Sequence, residues 1–340
     1  MSKRKILALF LVSILTLSLF LVGCQKDGLK KVRLIEVTHS VFYAPQYIAM
    51  SKGFFEEEGI KVELTNGKGA DKCMTALLSG EADIGFMGSE ASIYVYNQGK
   101  DDYAINFAQL TQKDGSFLVG REKDDNFSFD KLKNKTIIGG RIGGMPEMTL
   151  EYVLKKQGLQ PQKDVKIRTD IQFDVMAGSF TGGEGDYVTL FEPVATLLEK
   201  EGKGHIVASI GKEAGYIPYT SYSATKDYIE KNPEIIQGFT NAIYKGMLWV
   251  QSHSSEEVAN VLKEHFPDAD KDILSTLVSR YKEQDTWKPD PVFTKDGFDY
   301  ILKIMKSAGQ LDKSPPYEKL VITKFAEETL KNIKSDEVNK

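Results

Sequence analysis

The chain has 340 residues, 41% of them hydrophobic, and carries 44 Lys+Arg against 48 Asp+Glu for a formal net charge of −4. That acidic balance argues against nucleic acid or an anionic lipid surface as the main partner. Two cysteines and four histidines (His39, His205, His253, His265), with no His-x-x-x-His or His-Glu-x-x-His spacing, give no basis for a dedicated metal site.

The first element is a leader. Lys3, Arg4 and Lys5 precede seventeen residues, Ile6 to Val22, without a charge, and small Gly23 stands before Cys24. A basic segment, a greasy segment and a small residue in that order make a secretory signal. The run is at the short edge for a membrane span, and Ser13, Thr16 and Ser18 dilute it. Leu21-Val22-Gly23-Cys24 resembles a bacterial lipobox. The resemblance implies a signal over 1–23, acylation of Cys24 and a polar tether over 24–31. Two or more acyl chains, at roughly 0.8 kcal/mol per buried CH₂, would hold such a protein on the extracytoplasmic face of a cell membrane. Loss of three cations with the leader would take the net charge from −4 to −7 and leave Cys73 as the only free thiol, so no intrachain disulfide is expected. About 317 residues then remain, enough for two lobes.

From Lys31 short apolar strands alternate with helices. Val32 to Val37 reads as a strand and Ala44 to Lys52 as a helix stopped by Gly53. Ile60 to Leu64 is a strand, Ala70 to Ser79 a helix stopped by Gly80. Strands at Asp83–Phe86 and Ala104–Leu110 flank a helix from Ser89 to Gln98. After a charged turn the rhythm restarts: strand at Thr136–Ile138, helix from Met145 to Gln157, then strands at Val165–Arg168, Asp186–Leu190 and His205–Ser209. Beyond Lys226 the pattern is helical, with amphipathic stretches at Pro233–Gln251, Ser254–His265, Ala269–Asp285, Thr294–Ser307 and Ile322–Ile333. Strands separated by helices imply βαβ units and an α/β fold with parallel-rich sheets.

In open parallel sheets ligands sit beyond the carboxyl ends of the strands, so the informative residues follow each strand. His39, Phe42 and Tyr43 follow the first, Gly67 the second, Ser89 and Glu90 the third and Thr111 the fourth. Phe42 and Tyr43 are expected to line a cleft, with packing on the next helix as the other reading. His39 is either a ligand hydrogen-bonder or a satisfied turn residue. The loop Gly139 to Pro146, with Gly143, Gly144 and Met145 at its end, should present free backbone N–H groups at a helix N-terminus. It does not fit Gly-x-Gly-x-x-Gly, and no Gly-Lys-Ser/Thr follows. Glu90 and Glu192 are either helix-capping acids or acceptors for a ligand's N–H groups. Phe173, Tyr219 and Trp287 add stacking surface, Trp287 at the cleft mouth.

The runs His39-Ser40-Val41-Phe42-Tyr43-Ala44-Pro45-Gln46-Tyr47-Ile48-Ala49, Lys52-Gly53-Phe54-Phe55-Glu56-Glu57-Glu58-Gly59-Ile60, Leu77-Leu78-Ser79-Gly80-Glu81-Ala82-Asp83-Ile84-Gly85 and Leu190-Phe191-Glu192-Pro193 resemble periplasmic binding proteins. The branch is that of ABC importers of sulfonates, taurine, nitrate and thiamine-pyrimidine precursors. The resemblance implies a two-lobed, type II-like fold: lobe 1 over 32–118 plus 221–340, lobe 2 over 119–220. It also implies crossover strands near Gly115–Gly120 and Tyr219–Ala224, a cleft between the lobes and C-terminal helices packed on lobe 1. The expected partners are a small-molecule ligand and an ABC permease with its ATPase subunits; the protein is expected to be a monomer that needs no cofactor.

Strand-end loops carry one arginine (Arg141) and one lysine (Lys68) against Glu90, Glu147, Glu192, Asp170 and several aromatics. That favours a planar nitrogen heterocycle such as a thiamine-pyrimidine precursor; a sulfonate, taurine or nitrate bound by the glycine loop is the alternative. Some relatives of this fold make a thiamine pyrimidine with a cysteine-rich segment, but Cys73 stands alone in Asp71-Lys72-Cys73-Met74-Thr75 and no Gly-x-Ser-x-Gly elbow occurs. The expectation is a binding protein without catalytic residues.

Overall fold

Apolar strands punctuated by glycine-stopped helices build two five-stranded sheets, in a computed structural model that describes residues 28–334 and residue 338. The expected leader and Cys24 lie outside the described residues. The first sheet contains β1 (Lys30–Glu36), β2 (Ile60–Asn66), β3 (Ile84–Met87), β4 (Ala104–Thr111) and β10 (Thr220–Thr225), in the order β2-β1-β3-β10-β4. The second contains β5 (Ser116–Gly120), β6 (Thr136–Ile138), β7 (Lys166–Arg168), β8 (Tyr187–Phe191) and β9 (His205–Ser209), in the order β7-β6-β8-β5-β9.

β1 runs parallel to β3, with Leu34 opposite Ile84, and β6 runs parallel to β7 and β8. β10 is antiparallel to β3 and β4, and β5 to β8 and β9. Both sheets are therefore mixed. The two antiparallel strands are the ones the chain makes immediately after passing from one sheet to the other. Every residue of β3 and β5 is buried, as expected of central strands covered on both faces.

The helices are α1 (Ala44–Ser51), α2 (Phe54–Glu57), α3 (Ala70–Leu78), α4 (Glu90–Asn97), α5 (Met145–Lys156), α6 (Met176–Thr181), α7 (Val194–Lys200), α8 (Ile210–Ala214), α9 (Lys226–Lys231), α10 (Pro233–Ser252), α11 (Ser255–Leu262), α12 (Lys271–Glu283), α13 (Lys295–Ser307), α14 (Tyr317–Leu320) and α15 (Lys324–Asn332). Gly53 and Gly59, both at φ 74°, supply the left-handed turns that bracket α2. After β10 the chain packs back on the first sheet. Gly246 of α10 leaves no space for a Cβ against the Pro45 carbonyl of α1, and Gln237 of α10 donates to Thr329 of α15 at 2.9 Å. α12 spans the passage between the sheets: Tyr281 donates to the Gly115 carbonyl at 2.8 Å and Gln284, just beyond it, to that of Asp114 at 2.9 Å. Among the described residues no helix is long and apolar enough to cross a membrane.

Candidate ligand site between the sheets

Two recesses adjoin at Lys68 and Phe173. The larger, about 210 Å³, has Thr38, His39 and Ser40 from the end of β1 on one side and Leu190, Phe191 and Glu192 from the end of β8 on the other. The smaller, about 50 Å³, is lined by Glu90 at the head of α4 and by Arg141 and Gly144 of the glycine loop. Elements of both sheets thus contribute, as strand-end loops in such sheets should. A wider groove of about 620 Å³ beside β9 and α12 contains none of the expected site residues.

The wall from the first sheet is organised by Glu36, the fully buried last residue of β1. Its carboxylate accepts from Tyr47 at 2.9 Å and Gln46 at 2.7 Å, and His39 Nδ1 lies 3.0 Å away. The other ring nitrogen of His39 meets the His265 carbonyl at 2.8 Å, and the ring stacks on Phe266. Burial alone would lower the His39 pKa; the bonds to Glu36 and to the His265 carbonyl overcome it and leave it raised. Burial pushes Glu36 up, against the pull of His39. His39 borders the recess, but both its nitrogens are engaged within the fold.

Phe42 and Tyr43 do not line either recess. They are 0% and 2% exposed. Phe42 packs on Phe191 (5.4 Å between centroids), Tyr219 (5.7 Å) and Tyr281 (5.6 Å), and Tyr43 on Phe86 (4.4 Å). Aromatic partners from distant segments, not a ligand, cover these rings. Gly67 is a packing position, because a Cβ there would strike the Cys73 sulfur. Thr111 shares a 2.6 Å hydroxyl contact with Thr220 inside the sheet. Trp287 sits behind Phe42, donating to its carbonyl at 2.8 Å, and borders a separate pocket of about 230 Å³ with Tyr281 and Lys282. Tyr219 is buried against Phe42 and Phe191, near Asp114 in the passage between the sheets. The structure therefore puts Gly67, Thr111, Tyr219 and Trp287 outside the recesses.

Phe173 and Phe191, 5.7 Å apart, form the aromatic side of the larger recess. Glu192 is 1% exposed; its carboxylate accepts from the Thr196 amide (3.0 Å) and hydroxyl (2.8 Å), which caps α7, and it is paired with Arg280 of α12. Burial pushes its pKa up, with Arg280 pulling it down. Ser40 Oγ donates to the Glu192 carbonyl at 2.5 Å, tying the two walls together.

Three amides of the glycine loop and the head of α5, expected from the sequence to be free, are taken within the fold. Gly143 N donates to Glu147 Oε2 at 3.1 Å, Gly144 N to the Arg141 carbonyl at 3.1 Å and Met145 N to Glu90 Oε1 at 3.2 Å. Glu90 is 1% exposed, and its second oxygen, like the hydroxyl of Ser89 beside it, is buried with no hydrogen-bond partner. Burial pushes the Glu90 carboxyl up to about 7 against Arg141 and the Met145 amide, and Glu147 to about 7 with Glu151 adding to the rise. Arg141 is itself engaged, 3.6 Å from Asp71 and bonded to the Ile142 carbonyl at 3.2 Å.

Ser40 and Asn66 of the larger recess stand at strand ends, where ligand residues are expected; sequence reasoning missed Asp174 and Met176 there and Arg280 behind Glu192. Nothing local marks Arg280. Chemically the site combines an aromatic wall with buried acids whose cations are already paired, an arrangement suited to holding a small ring that donates hydrogen bonds.

The larger setting agrees across three proteins. YtlA of Bacillus subtilis (strain 168), named as a binding protein, is 48% identical over 303 residues, covering 89% of this chain and 91% of its own. The 4-amino-5-hydroxymethyl-2-methylpyrimidine phosphate synthase of Aspergillus parasiticus is 24% identical over 250 residues, 70% of each chain. The periplasmic nitrate-binding protein NrtA of Synechocystis PCC 6803 superposes with a TM-score of 0.74 at 16% identity, covering 91% of both chains, and so shares the fold. The periplasmic-binding-protein architecture is thus established, and residues 35–263 match the family model itself: the chain belongs to the NMT1-like family.

Proposed function

We propose that the protein is the extracytoplasmic substrate-binding lipoprotein of an ABC importer, anchored through acylated Cys24, that captures a small thiamine-pyrimidine-type heterocycle and delivers it to a permease. The observation that carries this reading is the 210 Å³ recess walled by Phe173 and Phe191, with the smaller recess beside it lined by Glu90, whose second oxygen is buried without a partner. Oxygens buried without partners cost free energy unless a ligand meets them. A planar ring with an exocyclic amine would stack on the phenylalanines and donate to Glu90. The name of YtlA supports the binding role, and the fungal pyrimidine synthases support the ligand class.

The working motion is closure of lobe 1 (32–118 plus 221–340) on lobe 2 (119–220) about the passages that precede β5 and β10. A ligand favours the closed form only through better contacts there. Bonds such as Ser40 to Glu192 and Met145 to Glu90 would form on closure. A thermal-shift panel of aminopyrimidines, sulfonates, taurine, nitrate and riboflavin tests the ligand class. A rise in melting temperature confined to aminopyrimidines supports the reading, and a rise confined to sulfonates or nitrate replaces it. Mass spectrometry of the released compound separates binding from catalysis, since a transporter returns its ligand unchanged. Membrane association that only detergent reverses, and that Cys24→Ala abolishes, tests the anchor.

A further inference from the structure

The head of α5 has the makings of an anion cradle: a glycine loop, a twelve-residue helix and an arginine beside it. Yet three of its amides are occupied by the chain itself. Glu147 and the Arg141 carbonyl take the amides of Gly143 and Gly144, and Glu90, from the opposite sheet, takes that of Met145. Arg141 is turned to Asp71. Two of the three occupants are carboxyl groups more than nine-tenths buried; Glu90 lines a recess also bordered by Gly144, and its second oxygen is buried against the Gly88 turn.

Building on the binding role proposed above, we infer that Glu90 is a specificity-determining residue that occupies the anion cradle, so that the site admits neutral or cationic hydrogen-bond donors and rejects sulfonates and nitrate. An incoming anion would have to displace Glu90 from Met145 N and then sit against the displaced carboxylate, and like charges in a buried site repel strongly. A donor-bearing ligand instead finds Glu90 Oε2 with no competing partner. Gly88 belongs to the same device. A Cβ there would collide with Glu90 Oε2, so glycine is what lets the carboxyl fold back over the turn.

The test is calorimetry of the full mature chain with methanesulfonate, comparing wild type with Glu90→Ala and Glu90→Gln. Glu90→Ala frees the Met145 amide and should bind methanesulfonate at least about tenfold more tightly than wild type. Glu90→Gln loses the charge but keeps an oxygen to accept from Met145, so its affinity should fall between the two; it also keeps the test decisive if the alanine variant does not fold. Methanesulfonate binding to wild type as tight as to Glu90→Ala overturns the inference, as does a glutamine variant that binds no better than wild type. If 4-amino-5-hydroxymethyl-2-methylpyrimidine fails to bind wild type while Glu90→Ala still gains methanesulfonate, the filter stands and the pyrimidine reading alone falls.

Discussion

Replacing Arg280 by methionine should destabilise the protein in a pH-dependent way. Glu192 has no exposed side-chain surface, whereas the Arg280 side chain is 28% exposed. Stranding one member of a fully buried pair costs about 3–5 kcal/mol, and exposed pairs contribute about 0–1 kcal/mol. The partial exposure of Arg280 and the retained Thr196 bonds to Glu192 place this case between them, at about 2 kcal/mol at pH 8. Without the guanidinium the Glu192 pKa, already raised by burial, rises further. A carboxyl whose folded pKa exceeds its unfolded value contributes fully below the unfolded pKa, and that contribution is lost as pH rises through the folded one. The deficit should therefore shrink at pH 5, where Glu192 can take up a proton. Urea denaturation of wild type and Arg280→Met at both pH values is the assay. Equal losses at pH 5 and pH 8 would refute the reasoning, and Glu192→Gln in the Arg280→Met background should recover most of the loss at pH 8.

The same sign holds for Glu90 and Glu147, both raised to about 7, and Asp114, raised to about 6 by burial. The contribution is fully present below pH 4.5 for the two glutamates and below pH 3.8 for Asp114, and it is lost through pH 6 to 7, so thermal melts of Glu147→Gln should change less than wild type between pH 5.5 and 8. Phe42→Ala, in the core and not on the cleft surface, should cost about 3–5 kcal/mol in denaturant titrations; a loss of ligand affinity with unchanged stability would show that the ring acts on ligand after all. The Cys73 thiol is buried and pushed up to about 12, so an aromatic disulfide reagent should label it only after unfolding, and prompt labelling of the native protein would contradict that burial.

The strands and long helices were legible because each declares itself locally. Thr136–Ile138 and His205–Ser209 are apolar runs with turn signals, and their limits coincide with β6 and β9. α6 and α8 went unread, being six and five residues, too short for a 3.6-residue period to emerge. The site was legible where strand-end position decides it, as for His39, Glu90, Phe173 and Glu192. It was not legible where the answer depends on a partner far along the chain. Arg280 meets Glu192 across 88 positions, and Glu90 fills the Met145 amide across 55. Phe42 looked too apolar for a loop only because Phe191, Tyr219 and Tyr281, its covering rings, arrive from elsewhere in the sequence.

The most direct measurement is native mass spectrometry of the mature protein mixed with 4-amino-5-hydroxymethyl-2-methylpyrimidine, followed by denaturing release of whatever is bound. The expected result is a saturable one-to-one complex that yields the compound at its original mass. A protein that stays unliganded at every concentration, or one that releases a product of altered mass, would contradict capture and delivery as its role.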